Sequence, residues 1–312
     1  MADQRSRKAG GVFTTLSAED LALDVPFEEA AALAGEAGFD AVDLPMEELV
    51  DPDNRSEASS VEATLAGAGV CAGGWWLPVE FREDRDTYAA GLELLARAAA
   101  LAERVGARWC NTWMWPFSDE LDYLANRRLH LERLKPVATM LGERGLVLGI
   151  EFVGPKTMRT GHRYEFISTM AETLELIDDI GEDNVGLVLD CWQWYTSHGT
   201  ADDLAGLKRE QVTYVHLNDA PAGLEVDQQI DDQRRLPGAT GVIDIKNFLG
   251  ALAAMSFAGP VALEPYDAEL NALEPHARVR KAKASLDATL AGAGGTTARA
   301  TQTGAASGGQ NA

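Results

Sequence analysis

Four side chains able to hold a metal or move a proton each follow directly on a short apolar run. Leu146-Val147-Leu148-Gly149-Ile150 ends on Glu151, and Val185-Gly186-Leu187-Val188-Leu189 ends on Asp190. Val212-Thr213-Tyr214-Val215 ends on His216, and Pro260-Val261-Ala262-Leu263 on Glu264. A carboxylate at the end of a buried strand is costly unless its charge is compensated, and a divalent cation does that. Three carboxylates and an imidazole form a hard, oxygen-rich donor set suited to Mn, with Mg or Co as alternatives; zinc more often comes with additional His or Cys. The expectation is one divalent ion, Mn first, held by Glu151, Asp190, His216 and Glu264. Such an ion polarises a carbonyl oxygen and stabilises the enediolate that forms when a nearby carboxylate takes a proton from the adjacent carbon.

The elements that must position these residues are legible as a rhythm. Strands are expected over 12–16, 41–44, 70–77, 107–113, 146–152, 185–190, 212–217 and 260–264. Helices are expected over 26–37, 59–68 (begun by a Ser59 cap), 88–105, 120–143, 167–180, 201–207, 244–255 and 274–291. Eight alternating strand–helix pairs imply a parallel sheet with helical crossovers, and at this length a closed α/β ring, a single (β/α)8 TIM barrel. Its active site lies at the C-terminal ends of the strands, where the four residues fall. An open doubly wound sheet would carry a glycine fingerprint after its first strand; here Ser17-Ala18-Glu19-Asp20 follows instead. The expected division is a flexible N-terminus at 1–10, a catalytic domain at 11–291 and a disordered tail at 292–312, rich in Gly, Ala, Thr, Ser and Gln.

Composition narrows the classes of partner. The formal net charge is −22, which argues against nucleic acid, because a nucleic-acid binder needs a basic footprint. No run approaches the roughly 18 apolar residues of a membrane span, and Met1–Gly10 leads into none, so neither a membrane anchor nor a secretory signal is expected. Cys71, Cys110 and Cys191 form no CxxC pair and read as small reduced core residues of a cytoplasmic protein.

The quartet, with its local strings GIEFVGP, LVLDCWQWY, YVHLNDAP and ALEPY, resembles the sugar-phosphate isomerase/epimerase group of the xylose-isomerase-like barrels over residues 11–290. The resemblance implies one divalent metal binding two neighbouring oxygens of a carbohydrate, with Glu151 and Glu264 doubling as the acid/base pair. This chain departs from the group at two places. Many of its epimerases carry a His three residues after the strand-six aspartate, where Gln193 stands here. The loop after strand seven usually ends in an Arg and a Pro-Gly-acid-Gly turn; here it reads Arg234-Arg235-Leu236-Pro237-Gly238-Ala239-Thr240-Gly241. Arg235 is the expected oxygen-binding contact, with Gln193 beside it.

Two further features bear on the substrate. Lys156, Arg159, His162 and Arg163 crowd the loop after Glu151, either as a solvated loop or as substrate contacts, with Lys156 binding oxygens and His162 an additional acid/base. All seven tryptophans flank strand ends, and Trp113 and Trp115 are the expected faces for a sugar ring or an aromatic aglycone. The functional expectation is a metal-dependent carbohydrate isomerase or epimerase. The alternative is a lyase using the same enolisation, a keto-inositol dehydratase or a 3-keto C-glycoside deglycosidase. Superfamily members that cleave C-glycosides work with a small second subunit, so such a subunit, or a homo-oligomer, is the expected protein partner. A third class, abasic-site endonuclease, shares the barrel but needs a histidine-rich metal cluster and a basic groove, which five histidines and the acidic charge do not supply.

Overall fold

The apolar runs and the Ala/Leu-rich stretches between them fold into alternating strands and helices. The computed structural model describes residues 11–51 and 57–299. The strands are β1 (Phe13–Leu16), β2 (Ala41–Val42), β3 (Cys71–Ala72), β4 (Gly74–Trp76), β5 (Trp109–Trp113), β6 (Phe117–Ser118), β7 (Val147–Glu151), β8 (Tyr164–Glu165), β9 (Val185–Asp190), β10 (Val212–Leu217) and β11 (Pro260–Leu263). Nine pair in parallel in the order β3-β2-β1-β11-β10-β9-β7-β5-β4. The two ends of that order are one stretch of chain, so the sheet closes into the expected TIM barrel.

The expected strand over 70–77 is interrupted at Gly73. A Cβ at Gly73 would lie 2.2 Å from both Asp43 Oδ1 and Thr15 Oγ1. Asp43 uses those same positions to accept from Thr15 Oγ1 at 2.6 Å and from the Gly74 amide at 2.7 Å. The break in pairing therefore makes room for an acid in the barrel wall.

Side-chain alternation explains the interior. Along β7, β9, β10 and β11 the residues two positions before the quartet are Gly149, Val188, Tyr214 and Ala262. With a period of two these share the inward face with Glu151, Asp190, His216 and Glu264. Val188, Tyr214 and Ala262 form a separate buried cluster, closed from below by Trp109. Leu148, Ile150, Leu187, Leu189, Val215, Leu217, Val261 and Leu263 belong to the main core outside the ring. Tyr214 reaches across the interior to donate to Asp43 Oδ2 at 2.6 Å. A Cβ at Gly74 would come within 2.7 Å of its ring.

The helices follow the expected pattern with shifted ends. Arg85–Val105 starts three residues before the expected point, because the Asp84 carboxylate accepts from the Asp86 and Thr87 amides. Ala58–Ala68 begins after Glu57 with no side-chain cap, so Ser59 sits inside the helix. The last helix, Pro275–Arg299, continues past 291, so its backbone takes up the first residues expected in the tail. The remaining tail, 300–312, and the expected flexible segment 1–10 lie outside the described residues. An antiparallel ribbon, β6 with β8, joins the loops after β5 and β7; two-residue strands leave no periodicity to detect. Cys110 and Cys191 are buried as expected, but Cys71, at the N-terminal end of β3, is exposed. Among the described residues no helix is long and apolar enough to cross a membrane.

Candidate metal centre

The quartet converges. Glu151 and Asp190 are the last residues of β7 and β9, His216 lies one residue before the end of β10, and Glu264 follows β11. Parallel register places His216 opposite Asp190 on one side and opposite Ala262, two residues before Glu264, on the other. One donor atom from each of the four lies within 4.8 Å of the others, and all four residues are buried. His216 Nδ1 faces Glu151 Oε1 at 3.2 Å and Glu264 Oε2 at 3.7 Å.

Neighbours fix the carboxylates. Asp190 Oδ1 accepts from the Trp192 amide at 2.7 Å and from Asn218 Nδ2 at 3.0 Å. Asn218 Oδ1 in turn accepts from the Glu264 amide at 2.9 Å, so one buried amide side chain spaces two of the four residues. Arg234 enters from the loop after β10, 1% exposed. Its Nη1 donates to Asp190 Oδ2 at 2.9 Å and to Glu264 Oε2, and its Nη2 to Asp231 Oδ1 at 2.9 Å. Asp231 also accepts from Trp192 Nε1 at 3.1 Å and Gln193 Nε2 at 3.3 Å, tying that loop to the Cys191–Thr196 helix.

Burial and mutual charge set the electrostatics of the quartet. Burial, then the charge of Glu264, pushes Glu151 well above the usual carboxylate range, while Arg234 opposes the shift. Burial does the same to Asp190, again against Arg234. For Glu264 burial also pushes up, but Arg234, His216 and the Tyr266 hydroxyl together hold it below its ordinary value. Arg234 offsets one of the three negative charges of the quartet. Two remain in a place that disfavours them, with an imidazole nitrogen directed among them. A divalent cation fits that donor set and that charge.

Three residues at the site were not foreseen. Asp20, after β1, is buried with Oδ2 3.9 Å from His216 Nε2. Burial, then Glu264, raises its pKa well above the usual range. Tyr266 donates to Glu264 Oε1 at 2.7 Å. Arg234, next to the expected contact Arg235, is the arginine whose side chain reaches the quartet. Arg235 pairs backbone to backbone with Asp219 in an isolated antiparallel bridge, which sends residues 234 and 235 to opposite sides. Its half-buried Nη1 donates to the Arg234 carbonyl at 2.7 Å.

Other expected contacts are engaged elsewhere. Lys156 Nζ is 2.7 Å from Asp227 Oδ2, linking the loop after β7 to the loop after β10. His162 Nδ1 lies 2.9 Å from Asp119 Oδ2, and its ring stacks on Phe117 at 3.3 Å. Its described partners are on the ribbon, not in the quartet. Gln193 is buried, accepting from the Gly154 amide at 2.8 Å. Trp113 is level with Glu151 in the β5–β7 register, with Arg82 over its ring at 4.7 Å and Trp115 edge-on at 4.6 Å. Trp115 is among the exposed large apolar residues. The other tryptophans divide. Trp76 faces His216 at 6.3 Å, whereas Trp75 and Trp194 are core and Trp109 packs on Phe13 at the start of β5.

A family model described as xylose isomerase-like TIM barrel matches residues 31–289. A solved xylose isomerase domain protein from Alicyclobacillus acidocaldarius superposes with a TM-score of 0.82 at 30% identity, over 91% of this chain and 100% of that one. The inosose isomerase of Halalkalibacterium halodurans is 26% identical over 139 residues, 45% of this chain and 46% of that protein. The chain thus spans about half the length of the inosose isomerases it matches. The L-ribulose 3-epimerase of Mesorhizobium japonicum is 24% identical over 252 residues, 78% of this chain and 76% of that protein.

Proposed function

The chain belongs to the xylose isomerase-like TIM barrel family, and from that membership and the site geometry we propose that it is a divalent-metal-dependent isomerase or epimerase of a sugar or keto-sugar. The observation that carries the reading is the buried quartet Glu151, Asp190, His216 and Glu264, with its donor atoms within 4.8 Å of one another. These four would hold the ion, Mn first, with Mg or Co accepted by the same donor set. When bound, the ion supplies Lewis-acid stabilisation of the negative charge that develops on a substrate oxygen during enolisation.

The protein's own groups do the rest. Glu151 takes the proton from the carbon beside the carbonyl, and Glu264, on the other side of His216, returns a proton to the opposite face. Asp190 is held in its orientation by its two amide donors and Arg234. Asn218 keeps Asp190 and Glu264 in register. Trp113, Trp115 and Arg235 border the mouth as substrate contacts, while Gln193 and Lys156 act by holding the loops around it. His162, joined to Asp119, acts at the rim.

The aromatic run from Trp113 through Trp115 and Phe117 to His162 favours a second reading. It extends outward from Glu151 and suits a substrate larger than a single small sugar, whose leaving group departs after the same proton abstraction. That is lyase chemistry, the dehydration of a keto-inositol or the cleavage of a 3-keto C-glycoside.

Proton NMR of the Mn-loaded protein in D2O, with ketohexoses, keto-inositols and 3-keto glycosides, tests both. Deuterium at a carbon beside the carbonyl, with a rearranged sugar as product, supports the isomerase. Exchange with release of water or an aglycone supports the lyase. No exchange with any of the panel overturns the enolisation reading.

A further inference from the structure

Tyr266 stands two residues beyond Glu264, outside any strand, with φ at +37°. Non-glycine residues rarely adopt that conformation, and where they are held in it the surroundings must fix it. The left-handed backbone folds the ring back towards the strand it has just left. The phenol oxygen donates to Glu264 Oε1 at 2.7 Å. The ring covers Arg234, whose Cζ lies 4.8 Å from its centroid, while Trp192 faces the same guanidinium at 5.3 Å. One side chain thus touches both the carboxylate and the arginine that enters the quartet.

The consequence is an asymmetry within Glu264. Oε1 is occupied by the Tyr266 hydroxyl, and Oε2 faces His216 Nδ1 at 3.7 Å and Arg234. We propose that Tyr266 is a positioning residue that fixes the rotation of the Glu264 carboxylate, so that Oε2 alone is presented to a divalent cation in the quartet. The inference rests on the metal-centre reading above. Without the hydroxyl only Arg234 restrains the carboxylate, and Oε1 is freed to turn towards the cation.

The test is Co(II) binding to metal-free protein, followed by visible absorption, which reports the ligand field, and by competition with a chelating indicator. Tyr266→Phe keeps the ring over Arg234 and loses only the hydroxyl. Wild type should take up one equivalent, and Tyr266→Phe should bind about tenfold more weakly, with an altered spectrum, as loss of a residue that orients a ligand does. A phenylalanine variant with unchanged affinity and spectrum overturns the tyrosine's role and leaves the metal centre standing. A wild type that takes up no Co(II) overturns both. The backbone gives a separate readout. Tyr266→Gly and Tyr266→Ala both lose the ring, but only glycine relieves the positive φ, so the glycine variant should melt at the higher temperature. Equal melting would remove the strain from the argument.

Discussion

Arg234 donates to Asp190 Oδ2 at 2.9 Å with both side chains shut off from solvent. Breaking a buried pair from one side leaves the other charge uncompensated, at a cost of about 3–5 kcal/mol. Arg234→Gln should therefore destabilise the metal-free protein by that order, and saturating Mn should recover part of the loss. Urea unfolding of both proteins with and without Mn measures it. Equal metal-free stabilities would mean that Arg234 is not compensating the acids.

Substitution separates chemistry from ion binding. Glu151→Gln and Glu264→Gln should each lower turnover by about 10²–10⁴-fold, the usual worth of a general acid or base. Asp190→Asn and His216→Ala should lose bound metal as well, read by elemental analysis of dialysed protein. A Glu151→Gln, Glu264→Gln double variant with full activity would sink the assignment.

Chelation should abolish turnover, and Mn should restore it better than Zn, because the donor set holds a single nitrogen. Undiminished turnover in protein verified to be metal-free would refute the metal role.

Gly149 lies in the layer below Glu151, where a Cβ would meet Asn111 Oδ1 and Val188 Cγ2 at 2.7 Å and Thr213 Oγ1 at 2.8 Å. Gly149→Ala should cost about 1–3 kcal/mol through overpacking and shift Glu151. A thermal melt together with a Co(II) spectrum would register both effects; an unchanged melt would show that the interior yields.

His130, away from the quartet, gives an acid-side signature. It is buried between Phe81 and Phe166, and burial lowers its pKa from 6.5 to about 4. The unfolded chain therefore binds the proton more readily than the folded one. The resulting stability is fully present above pH 6.5, declines as pH falls, and is lost at about pH 4, a total of about 3 kcal/mol. The difference in unfolding free energy between wild type and His130→Gln should change across that window. A constant difference from pH 7 to 4 would contradict the buried neutral imidazole.

The quartet was readable because each member ends an apolar run, and alternation then dictates an inward side chain at the strand's C-terminal end. The ring of eight was readable from the repeated strand–helix rhythm. What escaped depends on contacts between distant residues. Whether Arg234 or Arg235 enters the site is decided by the backbone bridge from Arg235 to Asp219, which local sequence does not encode. Asp219 also accepts from the amides of Ala220, Thr240, Gly241 and Ile243, so one buried acid shapes the turn that lacks the family's own acidic residue. Asp20 lies four residues past its strand, too far for the strand-end rule to reach. Gln193 and Lys156 were assigned by side-chain type, and their types serve equally well in holding loops.

All four donors of the quartet come from neighbouring positions of the ring, β7, β9, β10 and β11. The facing arc, β1 to β5, contributes Asp20, Trp76 and Trp113 around them. The ion's cage and the wall that faces the substrate are therefore separable in the chain. A library randomised only in the loops after β4 and β5 should yield variants with altered substrate preference that still load metal at wild-type affinity. A chimera joining residues 147–299 of this chain to the first half of a relative should inherit its ion from one parent and its selectivity from the other.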